Sequence, residues 1–272
     1  MRPLRPLAAV LLALTAASFW PNAADALPPY EVQRPEGRSR GVVQIIPGSG
    51  WHRVDAAALA EYRATARRFA RQGFTTLTHG YGPGFRGIID VRAFHRRAKG
   101  LAGRRQPVCV WGASSGAHWG AMLASQFEVD CTIAAALPTL KVPGTTPAWA
   151  TELQRLTRFF GPTQADRDRW SPATYAWNLR GPMLVGIGAQ DPITPPANGE
   201  VMRAARPELV DFVTLARGSC DFVHAKVSCG ELARFHRREA ALLRRAVSRA
   251  RRGVKASPIP PPSPDSVRPS QG

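Results

Sequence analysis

Residues 108–125 read VCVWGASSGAHWGAMLAS: a short apolar run, two serines held between glycines, then a stretch with helical spacing. The order strand, sharp turn, helix decides how the rest of the chain is read. Gly112-Ala113-Ser114-Ser115-Gly116 fits G-x-S-x-G, with Ser114 in the central position. In such a turn a side chain at either flanking glycine would collide with neighbouring elements, and the serine hydroxyl is lifted clear of the sheet edge. The Ser115 amide and the start of the following helix then face any negative charge that develops beside Ser114. On this reading Ser115 acts through its backbone, so Ser115→Ala is expected to be tolerated where Ser114→Ala is not.

Working outward, β-branched and apolar runs bounded by Gly and Pro predict strands at 41–46, 74–78, 107–111, 130–137, 183–187 and 209–215. Between them lie helical patterns at 55–71, with Asp55 as N-cap, at 88–101, from the turn to about 125, at 197–205, and from 230 onward. Strands alternating with helices predict an α/β domain with a mostly parallel central sheet and helices on both faces. Residues 138–180 lose strand character and read as a small helical insertion. Its Trp149, Phe159, Phe160 and Trp170 are candidates for a substrate pocket or for core packing. The expected organisation is a signal peptide at 1–26, a lead-in at 27–40, the α/β domain at 41–252, and a Pro/Ser-rich tail at 253–272 that cannot bury a core.

A serine hydroxyl is a weak nucleophile unless a base takes its proton, and the base needs an orienting carboxylate. Asp191, in GAQDPITPP, follows the 183–187 strand, and His224, in RGSCDFVHAKVSC, follows the last strand. Both are therefore expected at the sheet edge that carries Ser114. The other histidines fit less well: His95, His118 and His236 fall on helical segments, and His52 and His79 precede the serine. Asp221 is the rival acid, but it is so near His224 in sequence that it is less able to reach across to the ring. The loop PGSGW, residues 47–51, follows the first strand, so amides of Ser49, Gly50 and Trp51 can join that of Ser115 in an oxyanion hole.

With PGSGW, GASSG, GAQDPITPP and His224 in this order, residues 41–250 resemble the α/β-hydrolase superfamily. The stretch WSPATYAWNLRGPMLVGIGAQDPITPP is similar to prolyl-oligopeptidase-like and dienelactone-hydrolase-like members, and PGSGW to the HGGGW loop of esterases. The resemblance implies a Ser114, Asp191, His224 triad with no metal or organic cofactor. Pro47 stands where the loop histidine is usual and Ser49 where a glycine is, and no glycine immediately precedes His224. The expected activity is hydrolysis of a small-molecule or polymeric carboxylic ester. A peptidase of prolyl-oligopeptidase type and a non-catalytic binding protein on the same fold are the alternatives.

Arg2 and Arg5 precede an apolar run to Phe19 and the small-residue pattern Ala24-Asp25-Ala26, which predicts export with cleavage before Leu27. A secreted or periplasmic location permits disulfides. Of the four cysteines, Cys220 and Cys229 share one loop-like stretch, and Cys109 and Cys131 fall in two predicted strands, so these are the expected pairs. No CxxC pair or His-rich cluster suggests a metal site. The formal charge of +18 is carried mostly by arginines spread over helical faces, so no specific nucleic-acid partner is expected. No stretch beyond the N-terminal segment is long and apolar enough to span a bilayer.

Overall fold

The structure, a computed structural model, describes residues 27–127 and 129–253. The expected signal peptide and the tail from 254 lie outside the described residues. Six strands form the parallel body of the sheet: β2 (Val42–Ile46), β3 (Thr75–His79), β4 (Val108–Ala113), β5 (Cys131–Ala135), β6 (Met183–Gly188) and β7 (Val210–Leu215). β1 (Tyr30–Gln33) joins antiparallel to β3, giving the order β1-β3-β2-β4-β5-β6-β7. All five residues of β2, β3 and β5 are buried, as expected for strands covered on both faces.

One face is covered by α3 (Arg86–Leu101), α4 (Ser115–Gln126) and α7 (Ala197–Ala205). The other is covered by α2 (Arg63–Arg71) and α8 (Cys229–Arg251), where Phe69, Phe235, Leu242 and Leu243 meet Val43, Ile45 and Ile133. The expected single helix at 55–71 is two: α1 (Ala56–Glu61), capped by Asp55 accepting from Ala58 N at 3.0 Å, and α2. They are separated at Tyr62 (φ −93°, ψ 0°), whose N–H closes α1 on the carbonyls of Leu59 and Ala60. The segment 138–180 holds α5 (Pro147–Phe160), α6 (Gln164–Arg169) and two short 3₁₀ turns. Two of its aromatic residues pack inward: Trp149 and Phe160 are buried, and Phe160 lies about 6 Å from Trp51, His118 and Trp119.

The chain runs from β2 outward to β3, then crosses back to β4 on the other side of β2. In open α/β sheets the crevice beyond the strand ends at such a reversal is where ligands bind. The loops leaving β2 and β4 meet at this point.

His79 and His118 are fully buried. His79 Nε2 accepts from Gln44 Nε2 at 2.9 Å, its Nδ1 faces Gly80 O at 2.8 Å, and the ring stacks on Phe94. Protonating Nε2 would set two donors face to face. Burial lowers the pKa of His79 to about 4 and that of His118 to about 3. The unfolded chain then binds protons that the native chain refuses, so stability is full above about pH 6.5 and falls as pH drops from there toward 3. His236, lowered to about 4 mainly by burial, adds to the effect, and Glu239, whose pKa is raised by burial, acts in the opposite sense above its unfolded value, as one group against three. Thermal denaturation between pH 7.5 and 4.5 should show Tm falling by several degrees in the lower half of that range. A flat profile would mean that these rings are hydrated.

Candidate active site

Ser114 stands between β4 and α4 with φ 51° and ψ −123°, a left-handed conformation that L-residues adopt only under constraint. The constraint is close packing of backbone. A Cβ on Gly116 would lie 2.1 Å from Ile46 O, and one on Gly112 would lie 2.4 Å from Gly116 O. Ser114 N donates to Ala135 O at 2.9 Å, which fixes the turn against β5. The flanking glycines are therefore needed for the approach of β2 and α4.

Asp191 follows β6 and is buried. Its Oδ1 accepts from Ile193 N at 2.9 Å and Thr194 N at 2.8 Å, and its Oδ2 faces His224 Nδ1 at 3.2 Å. One oxygen is thus held by backbone amides, and the other is left for the imidazole.

His224 lies in the turn between β8 (Arg217–Phe222) and β9 (Ala225–Val227), a hairpin that lacks the usual apolar alternation. Phe222 anchors it edge-on to Phe235 of α8 at 5.5 Å, and the Cys220–Cys229 bridge, Cα–Cα 5.2 Å, ties it to the start of that helix. The second bridge joins Cys109 to Cys131, which face each other in the β4–β5 register. Asp221 turns outward and pairs with Lys226 at 2.6 Å.

Ser114 and His224 line one cavity of about 770 Å³. Among the described residues Ser114 Oγ makes no hydrogen bond to His224; such contacts often tighten only with substrate bound. The cavity opens between α2 and α8, walled by Tyr62, Arg68, Trp111 and Phe235. None of Trp149, Phe159, Phe160 and Trp170 lines it. Within its wall Glu239 is buried, pairing with Arg68 and accepting from Trp111 Nε1 at 2.9 Å. His236 beside them is held to a pKa of about 4 by burial and by the Arg68 charge.

The loop after β2 is held on several sides. Gly48 N donates to Tyr62 Oη at 2.8 Å, and Ser49 N donates to Ser115 Oγ at 2.8 Å. Tyr81, in the loop after β3, donates to Pro47 O at 2.8 Å and lies 3.0 Å from both Ser49 Oγ and Ser115 Oγ. Arg155 of α5 donates to Gly50 O at 2.6 Å. The sequence reading used Ser115 only for its amide and left out Tyr81 and Arg155. Ser115 and Tyr81 are fully buried, and they join the loop to the serine turn. The position of Tyr81 just after a strand beside β2 was the available signal. Of the loop amides expected to be free, Ser49 N is engaged, and the Trp51 side chain is buried, packing against His118 and Phe160. Gly50, Trp51 and Ser115 keep amides without an acceptor among the described residues, and of the three Gly50 lines the cavity.

Among the described residues no group of three His, Cys, Asp or Glu side chains could hold a metal ion.

No family model matches the sequence, and no curated protein matches it. Solved structures do. Esterase B from Lactobacillus rhamnosis, inhibited by a tributyrin phosphonate, superposes with a TM-score of 0.63 at 16% identity over 86% of this chain and 85% of its own. A monoacylglycerol lipase from Paleococcus ferrophilus gives 0.56 at 16% identity over 81% and 98%. A puromycin-hydrolyzing peptidase from Mycobacterium tuberculosis gives 0.63 at 17% identity over 80% of this chain and 37% of its own. With the sheet order and flanking helices described above, these likenesses show that the chain has the α/β-hydrolase fold.

Proposed function

We propose that this α/β-hydrolase-fold chain is a serine hydrolase that cleaves carboxylic esters through an acyl-enzyme. The observation that carries the reading is the Asp191–His224 contact, set beside a strained serine in one cavity. Ser114 attacks the ester carbonyl while His224 Nε2 takes its proton. Asp191 holds the imidazole with Nδ1 protonated, leaving Nε2 as the acceptor. The tetrahedral oxyanion is received by the amides of Ser115 and Gly50. His224 then gives the proton to the departing alkoxide, the alcohol leaves, and water attacks the acyl-Ser114 ester by the same route in reverse. Short-acyl nitrophenyl esters should be turned over, and proline-containing peptide amides should not. Faster cleavage of the amides would make the chain a peptidase. A panel of esters of graded acyl length, with a polymeric ester included, would then define the substrate.

Because Ser115 Oγ and Tyr81 Oη hold the oxyanion loop, Ser115→Ala and Tyr81→Phe are each expected to lower kcat about tenfold with KM little changed. That corresponds to one or two lost hydrogen bonds of about 1 kcal/mol each. Wild-type kcat in both variants would mean that the loop is positioned without them.

Cys229 is exposed, whereas Cys109 and Cys131 are fully buried. Mild reductant should therefore open Cys220–Cys229 first, loosen the hairpin that carries His224, and cut activity several-fold before any unfolding. Unchanged turnover after thiol assay shows this bridge open would remove it from the account.

A further inference from the structure

The opposite end of the sheet carries a second cavity, built from three segments distant in sequence. Residues 38–40 precede β2, residues 103–106 form the turn between α3 and β4, and Arg251 ends α8. The cavity measures about 590 Å³, and of the eight described residues that line it five are Arg38, Arg40, Arg104, Arg105 and Arg251. With 37 lysines and arginines in 272 residues, composition alone would put about one there. Among the described residues no acidic side chain lines it.

Its walls are tied together before any ligand arrives. Gln106 Nε2 donates to Ser39 O at 2.6 Å, Gln106 Oε1 accepts from Gly103 N at 3.0 Å, and Val42 N donates to Pro107 O at 2.9 Å. Arg40 is partly committed, donating to Gln72 O at 3.3 Å and lying over the Phe74 ring. Among the described residues Arg38, Arg104, Arg105 and Arg251 form no ion pair. Glu36 lies in an adjoining cavity that shares Arg38 and adds Arg34 and Arg67, and Asp130 accepts from Val108 N at 2.8 Å and faces Arg249.

A guanidinium presents a rigid fork of donors that matches the oxygens of a tetrahedral oxyanion. Four unpaired forks around one hollow exceed what a single carboxylate can satisfy. We propose that this cavity binds a ligand carrying two or more adjacent phosphate groups, at a site separate from Ser114. The strands between the two ends hold them about 20 Å apart, so a ligand held here does not reach the serine. A chain held by this end presents its Ser114 cavity away from whatever displays the phosphates. The inference stands whether or not the hydrolase reading does.

The test is calorimetric titration of the full chain with inorganic pyrophosphate in 150 mM salt. It is paired with co-sedimentation on phosphatidylcholine vesicles with and without cardiolipin, whose headgroup carries two phosphates. Two quadruple variants are compared: Arg38, Arg104, Arg105 and Arg251 to Gln, and, as a control of equal charge, Arg158, Arg169, Arg203 and Arg237 to Gln. Wild type should bind at least one probe, the first variant at least tenfold more weakly, and the control within twofold of wild type, with Tm of both variants near wild type. Binding of pyrophosphate alone identifies a soluble ligand; binding of anionic vesicles alone identifies a lipid headgroup. Equal weakening in the two variants would overturn the proposal, as would wild type that binds neither probe.

Discussion

Ser114→Ala is expected to lower kcat/KM for a short nitrophenyl ester by about 10⁶, the loss typical of removing the nucleophile from such a triad. Folding should be unaffected, because alanine meets the same backbone as serine at φ 51°. Ser114→Gly should be equally inactive and more stable by about 1 kcal/mol, since glycine adopts this conformation without steric cost. The pair separates chemistry from architecture: activity is lost in both, and stability rises in one. Ester turnover in either variant within tenfold of wild type would remove Ser114 from the reaction.

Asp191→Asn is expected to cost about 10⁴ in kcat, for a reason set by its hydrogen bonds. Ile193 N and Thr194 N both donate to Oδ1, so the asparagine carbonyl must take that place. The amide NH₂ is then turned toward His224, at the position where Oδ2 now faces Nδ1 at 3.2 Å. Facing a donor, Nδ1 can only accept, and the proton moves to Nε2. An imidazole protonated there cannot take the Ser114 proton. The variant should bind substrate with KM close to wild type while kcat collapses. A loss of less than tenfold would mean that His224 is oriented by something else.

The parallel body of the sheet was legible because its buried strands are short apolar runs stopped by Gly and Pro, as in 41–46 and 183–187. Ser114 and Asp191 lie just beyond such runs, whereas His224 comes nine residues after Leu215, in the β8–β9 turn. β1 was hidden: Tyr30–Gln33 alternates over only four residues between prolines and charges, and it is a strand through its pairing with β3. The β8–β9 hairpin was equally silent, being mostly polar and held by a disulfide and by Phe222 on Phe235. The break at Tyr62 splits a regular helical pattern, and that phenol reaches across to Gly48 N. The roles of Ser115 and Tyr81 depend on loop geometry, which residue spacing does not encode. Aromatic residues of 138–180 could line a pocket but suited core packing better, and burial of Trp149 and Phe160 places these two in the core.

The central claim is that Ser114 is an activated nucleophile, and the most direct measurement is fluorophosphonate labelling of the folded wild-type chain, with the adduct located by peptide mass spectrometry. The account predicts one adduct per chain on Ser114, absent in Ser114→Ala and much slower to form in Asp191→Asn. No adduct on the wild-type chain, or an adduct on Ser115 in its place, would contradict it.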